Sequence, residues 1–198
     1  MLVMQESVFT RIDEIEKLDP DPSRGQELEA FELMNAFARG PEELRALIDR
    51  YGSSTTPIIS QSLGSVVAVR AQEPTQEMAR LVLTFVARFR CWKPDETVMN
   101  ALTAVQHCLH YVEPSVGESL RSLSPFFRKC LAYEGRLWVI IRGHALALLP
   151  IIVHRDLINA IFTPEELLEL RERIRELRRT AGEELRPELE DLQGIIEE

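Results

Sequence analysis

Pro74, Pro94 and Pro114 stand 20 residues apart, and this regularity constrains the chain more than any other feature. Proline lacks the N–H that a helix interior needs, and its ring clashes with the preceding turn. A break at every twentieth residue therefore predicts helices of about four turns joined by short connections. Apolar spacing agrees. Phe31, Met34 and Phe37 recur at i, i+3, i+6, and Leu81, Val82, Phe85 and Val86 form a broad stripe at helical spacing. Sustained alternation of apolar and polar residues, the signature of a half-buried strand, is almost absent. The predicted class is all-α.

Helix character then alternates. Segments 57–69, 97–112 and 137–153 are charge-poor, whereas 76–90 and 116–130 are charged. The charge-poor segments begin at Pro57, Thr97 and Leu137, 40 residues apart. At that offset Ile58, Val98 and Trp138 correspond, as do Ile59, Met99 and Val139, then Ala68, Cys108 and Leu148, then Val69, Leu109 and Leu149. A period of about 40 residues with two helices per unit is the pattern of a helical solenoid, whose units bury their apolar faces only by stacking. Over residues 26–162 the chain resembles the HEAT or armadillo-like repeat class in period and pattern. That resemblance implies a short right-handed-type α-α superhelix in which the charge-poor helices lie between layers. An irregular helical bundle is the alternative. Pro125 and Pro150 fall inside predicted helices, which should kink or split there.

The formal charge of −9 is unevenly placed: −6 over residues 1–60, +3 over 61–160 and −6 over 161–198. We expect one domain over 1–198, with acidic N-terminal helices at 1–55, helix-pair repeats at 56–162 and a C-terminal capping helix at 163–198. The polar ends suit the terminal units of an array. Thr163-Pro164-Glu165-Glu166 is a capping box with proline at the first helical position; Gly40-Pro41-Glu42-Glu43 and Lys93-Pro94-Asp95-Glu96 are weaker versions. Leu167, Leu170, Ile174 and Leu177 follow at heptad-like spacing until Gly182 and Pro187 interrupt. This stripe should pack on the array, with homodimerisation as its other use, so the chain is expected to be a monomer or a homodimer.

Charge and motif set the functional expectations. Arg80 and Arg121 lie 41 residues apart and Arg88 and Arg128 lie 40 apart, so each pair should occupy equivalent places on successive charged helices. Arg90, Lys93 and Lys129 extend this ladder, with Phe89 and Trp92 interleaved. Guanidinium forks beside aromatics suit an acidic peptide, a phosphorylated partner or a nucleic-acid backbone; the competing use is pairing with the chain's own acids. Net acidity disfavours nucleic acid, whose affinity comes chiefly from phosphate neutralisation. His107, His110 and Glu113 are weak metal candidates at i, i+3, i+6, with no second ligand motif. No nucleophile elbow, phosphate loop or zinc-protease motif is present, so no enzyme activity and no cofactor are expected. Cys91, Cys108 and Cys130 form no CxxC pair, and Cys108 aligns with core positions. There is no positive charge before Arg11 and no long apolar run, so neither a secretory leader nor a membrane span is expected, and the expected compartment is the cytoplasm. The resemblance implies a protein–protein interaction module, such as an adaptor, a scaffold or an inhibitor of the immunity type. The alternative is a HEAT-like nucleic-acid-binding protein that uses the central arginines.

Overall fold

A computed structural model describes residues 2–18 and 24–180, together with Leu185, Leu189 and Leu192. Among these residues the helices are α1 (Leu2–Lys17), α2 (Arg24–Phe37), α3 (Pro41–Tyr51), α4 (Pro57–Arg70), α5 (Gln76–Arg88) and α6 (Asp95–Leu109). A 3-10 helix over Pro114–Ser122 leads into α7 (Leu123–Leu131), followed by α8 (Trp138–His154), α9 (Ile158–Ile161) and α10 (Pro164–Thr180). No strand occurs among the described residues, and none of their helices is long and apolar enough to cross a membrane.

Local chemistry fixes the helix starts. Pro41, Pro57 and Pro164 are first residues of their helices, where a missing N–H is harmless. Thr75 Oγ1 accepts from the Met78 N–H at 3.1 Å to begin α5. The capping box at α10 is reciprocal: the Glu166 N–H donates to Thr163 Oγ1 at 3.2 Å, and the Thr163 N–H donates to Glu166 Oε2 at 3.0 Å. That backbone donor holds the Glu166 carboxyl below the usual carboxylate range. Pro125 does split its segment, since the 3-10 stretch ends at Ser122 and Pro125 sits in the first turn of α7. Pro150 does not split α8, which runs through it unbroken. Leu146, Leu148, Leu149 and Ile152 are buried on both sides of it, and this packing holds the helix together across the missing hydrogen bond. Gly182 and Pro187 lie outside the described residues.

The helices pack in two rows. In one, α2 packs on α4, α4 on α6 and α6 on α8; in the other, α3 packs on α5, α5 on the 3-10 helix and α7, and α7 on α10. Buried apolar residues from Ile12 to Leu192 form a single cluster. Leu170, Ile174 and Leu177 belong to it and Leu167 packs against it, so the apolar stripe of α10 is engaged within its own chain and is not free for a second copy. The charge-poor helices α4, α6 and α8 line up in one row, as their spacing predicts, but they are not sandwiched between layers. Each keeps a stripe of half-buried or exposed residues, among them Gln61, Ser65, Asn100, Thr103, Ile140 and Ala147.

Side-chain hydrogen bonds join places about 40 residues apart. Tyr111 OH donates to Ala71 O at 3.0 Å, Ser122 Oγ to Leu83 O at 3.3 Å, and Tyr133 OH to Trp92 O at 3.2 Å. Arginines reach back to the carbonyls that end neighbouring helices: Arg88 to Asp49 O at 2.9 Å, Arg155 to Val112 O at 2.9 Å and Arg173 to Leu131 O at 3.4 Å. Such carbonyls have no intrahelical donor and carry the negative end of the helix dipole.

At the N-terminal end, Asp13 accepts from Tyr51 OH at 2.8 Å and pairs with the Arg50 guanidinium. Arg50 first, and then Tyr51, holds the Asp13 carboxyl below its ordinary value against the opposing effect of burial. A carboxyl depressed in the fold adds stability above its unfolded value near 4, and that contribution is lost as pH falls through the lower folded value. Asp13→Asn should therefore cost about 1 kcal/mol at neutral pH, a figure kept small because Arg50 is half exposed. The difference from the parent chain should shrink as pH falls through the lowered folded value and Asp13 is itself protonated. Urea titrations at neutral and at acidic pH check this.

Candidate functional site

The predicted arginine ladder divides in two. Arg88, at the end of α5, pairs with the Asp49 carboxylate at 2.9 Å besides capping α3. Arg128 on α7 pairs with Glu169 at 2.9 Å and Glu166 at 3.5 Å on α10, and Arg121 adds a further pull on Glu166. These charges tie adjacent helices together. Arg80 is exposed on α5, and Lys93 is exposed in the turn before α6.

Arg90, Trp92 and Lys129 instead converge on one groove. Beyond α5 the chain turns at Phe89 and crosses the end of α7, opening a groove of about 180 Å³ lined by Phe89, Arg90, Trp92, Pro125, Phe126 and Lys129, among others. Its floor is aromatic. Ring centroids lie 5.2 Å apart for Phe89 and Trp92, 5.6 Å for Trp92 and Phe126, and 6.0 Å for Phe89 and Phe126, with two of these pairs edge-on. The run continues inward through Phe85 on one side and through Phe127 to Phe162 on the other, so the floor is continuous with the core.

Cations flank this floor. Lys129 Nζ stands 5.2 Å from the centre of the Trp92 ring, within cation–π range. Arg90 Nη1 donates to Ala87 O at 3.0 Å and to Phe89 O at 2.8 Å, which fixes the guanidinium at the end of α5. The Trp92 indole N–H is shielded from solvent and has no acceptor among the described residues. An orphaned donor of this kind costs about 1–3 kcal/mol. Phe126 and Pro125 were missing from the sequence candidates, because the Pro125-Phe126-Phe127 string reads as a helix break rather than as the wall of a groove.

The metal candidates do not assemble. α6 ends at Leu109, so His110 caps it and Glu113 lies past the turn in extended conformation, accepting from Ser115 Oγ at 3.2 Å. No group of three His, Cys, Asp or Glu side chains among the described residues is placed to hold a metal ion. All three cysteines are buried and free of disulfides. Burial pushes the Cys108 thiol up to about 12, which leaves it without the thiolate character of a nucleophile. No family model, curated protein or solved structure matches the chain.

Proposed function

We propose that the chain is a non-enzymatic protein-interaction module that docks an acidic segment of another protein in the groove between α5 and α7. The observation that carries this reading is the placement of Arg90 and Lys129 beside an aromatic floor with an orphaned indole N–H. A carboxylate of the partner meets the two cations, and an apolar or aromatic side chain rests on the floor made by Phe89, Trp92 and Phe126. Aromatic anchors with Arg are the usual energetic centre of a docking site. The two rows of helices, with ties recurring about 40 residues apart, support a short HEAT-like α-α superhelix as the scaffold, in the role of adaptor, scaffold or immunity-type inhibitor. Three free, buried cysteines support a reducing compartment such as the cytoplasm.

Trp92 reports on the groove directly. In a Trp138→Phe background, titration with a synthetic peptide carrying one phenylalanine among glutamates should shift Trp92 emission. Arg90→Glu with Lys129→Glu should weaken the peptide by about tenfold or more, while the circular dichroism spectrum stays that of the parent and melting falls only slightly, the loss being two carbonyl hydrogen bonds and one cation–π contact. No emission change in the parent, or equal affinity in the charge-reversed chain, would overturn the reading. Duplex DNA that binds more tightly than the peptide, with steep salt dependence, would replace it with the nucleic-acid alternative.

A further inference from the structure

On the row opposite the groove, the stripes of α4, α6 and α8 form a face without charge. Gln61, Ser65 and Val69 of α4 adjoin Asn100, Thr103 and Gln106 of α6, which adjoin Ile140, His144, Ala147 and Ile151 of α8. Two lateral hydrogen bonds fix that order: Asn100 Nδ2 donates to Ser65 Oγ at 2.8 Å, and His144 Nε2 bonds Gln106 Oε1 at 2.9 Å. Thr103 Oγ1 turns back onto Met99 O at 2.9 Å. Ser65 and Asn100 are thus joined to each other, Gln106 to His144, and Thr103 to its own helix. Drying these bonded groups costs less than drying unpaired ones.

Two irregularities break the evenness of this face. Ile140 projects with 52% of its surface exposed. At the other edge, between α2 and α4, lies an open hollow of about 350 Å³ lined by Leu28, Phe31, Ile58, Gln61 and Ser65, with Glu27 on its rim. Knob and hollow stand at nearly the same height, since Asn100 ties to Gln61 O and Ser65 while His144, one turn beyond Ile140, ties to Gln106. Arg136, also exposed, precedes Ile140 by four residues and is opposite in sign to Glu27.

We propose that this face binds a second copy of the chain. A twofold axis lying in the face and running along α6 puts Ile140 of each copy into the hollow of the other and sets Arg136 against the partner copy's Glu27. An isologous contact needs only a self-complementary patch, and here an apolar knob, a hollow whose apolar wall (Leu28, Phe31, Ile58) faces polar Gln61, Ser62 and Ser65, and opposite charges each occur once per copy. The rest of a chain with net charge −9 repels its duplicate, whereas this face does not. Helices of 14, 15 and 17 residues, spaced 8–10 Å apart with a 1.5 Å rise, cover about 600 Å². The rim of α2 brings this near the roughly 800 Å² per partner of a stable interface. The inference is independent of the α5–α7 groove, which lies on the other row and stays open, so a dimer would present two grooves.

Sedimentation velocity on the full chain at about 100 µM, a concentration that populates even a weak dimer, tests the proposal. The parent should sediment as a dimer. Ile140→Glu, a substitution at an exposed position, should give monomers with an unchanged circular dichroism spectrum. Glu27→Arg should weaken the dimer, and adding Arg136→Glu should restore it; Arg80→Glu on the opposite row should leave it intact. A monomeric parent, or an Ile140→Glu chain that remains dimeric, would overturn it. So would a monomeric parent in which Ile140→Glu loses a heterologous partner, since that outcome would assign the face to another protein. Peptide binding at the groove, measured on the Ile140→Glu monomer, separates the fate of this inference from that of the proposed function.

Discussion

Phe127→Ala is expected to lower the unfolding free energy by about 3–5 kcal/mol, the range for removing a fully buried aromatic ring. Phe127 is inaccessible to solvent, and its ring meets Phe126 and Phe162 at 6.3 Å each. It therefore links the groove floor to Phe162, just past α9. In a chain of 198 residues such a loss should lower the melting temperature by on the order of 10 °C. Thermal denaturation followed by circular dichroism measures it. A shift of a degree or two would mean that α7 does not seat Phe127 in the core.

The second large effect is expected at Gly64, in the middle of α4. A Cβ there would stand 3.2 Å from Asn100 Cβ, 3.8 Å from Phe85 Cζ and 3.9 Å from Thr97 O, so α4 and α6 approach as closely as they do because this position has no side chain. Gly64→Leu should cost about 1–3 kcal/mol by overpacking and should pull Asn100 off Ser65 and Gln61 O. Gly64→Ala is the informative control. Its helix-propensity gain of about 1 kcal/mol opposes the tight contact, so the alanine chain should melt close to the parent. Equal losses for alanine and leucine would place the cause in the backbone and not in the spacing of the two helices.

What could be read from the amino-acid order was what depends on near neighbours. Proline at the first turn, the Thr163–Glu166 box and the 20-residue spacing of breaks act within a few residues, and they located α4, α5, α6 and α8 to within a turn, whereas the single segment expected over 116–130 is a 3-10 helix followed by α7. The spacing also offers two uses for Arg88 and Arg128, an outward ladder or pairing with the chain's own acids on adjacent helices, and the fold shows the second. In the fold Arg88 reaches the carbonyl and carboxylate of Asp49 at the end of α3, and Arg128 reaches the Glu166 and Glu169 carboxylates of α10. The three groove residues found in advance, Arg90, Trp92 and Lys129, share one short turn and the helix beside it. Phe126 escaped because its role depends on where the 3-10 helix hands over to α7. The charge-free face escaped for a different reason: runs lacking charge were weighed as membrane spans or as buried layers, and a half-exposed stripe satisfied by its own lateral hydrogen bonds has no local sequence mark.

None of the hydrogen bonds named above joins residues more than 43 apart. Among the described residues these bonds thus fasten helices to others a few places away in the chain. Pulled from its two ends, such a chain should give way as a series of small steps, one pair peeling from the next, rather than in a single rupture. The same architecture lets the chain begin to fold before its last residues are made, since every fastening closes a loop of modest size.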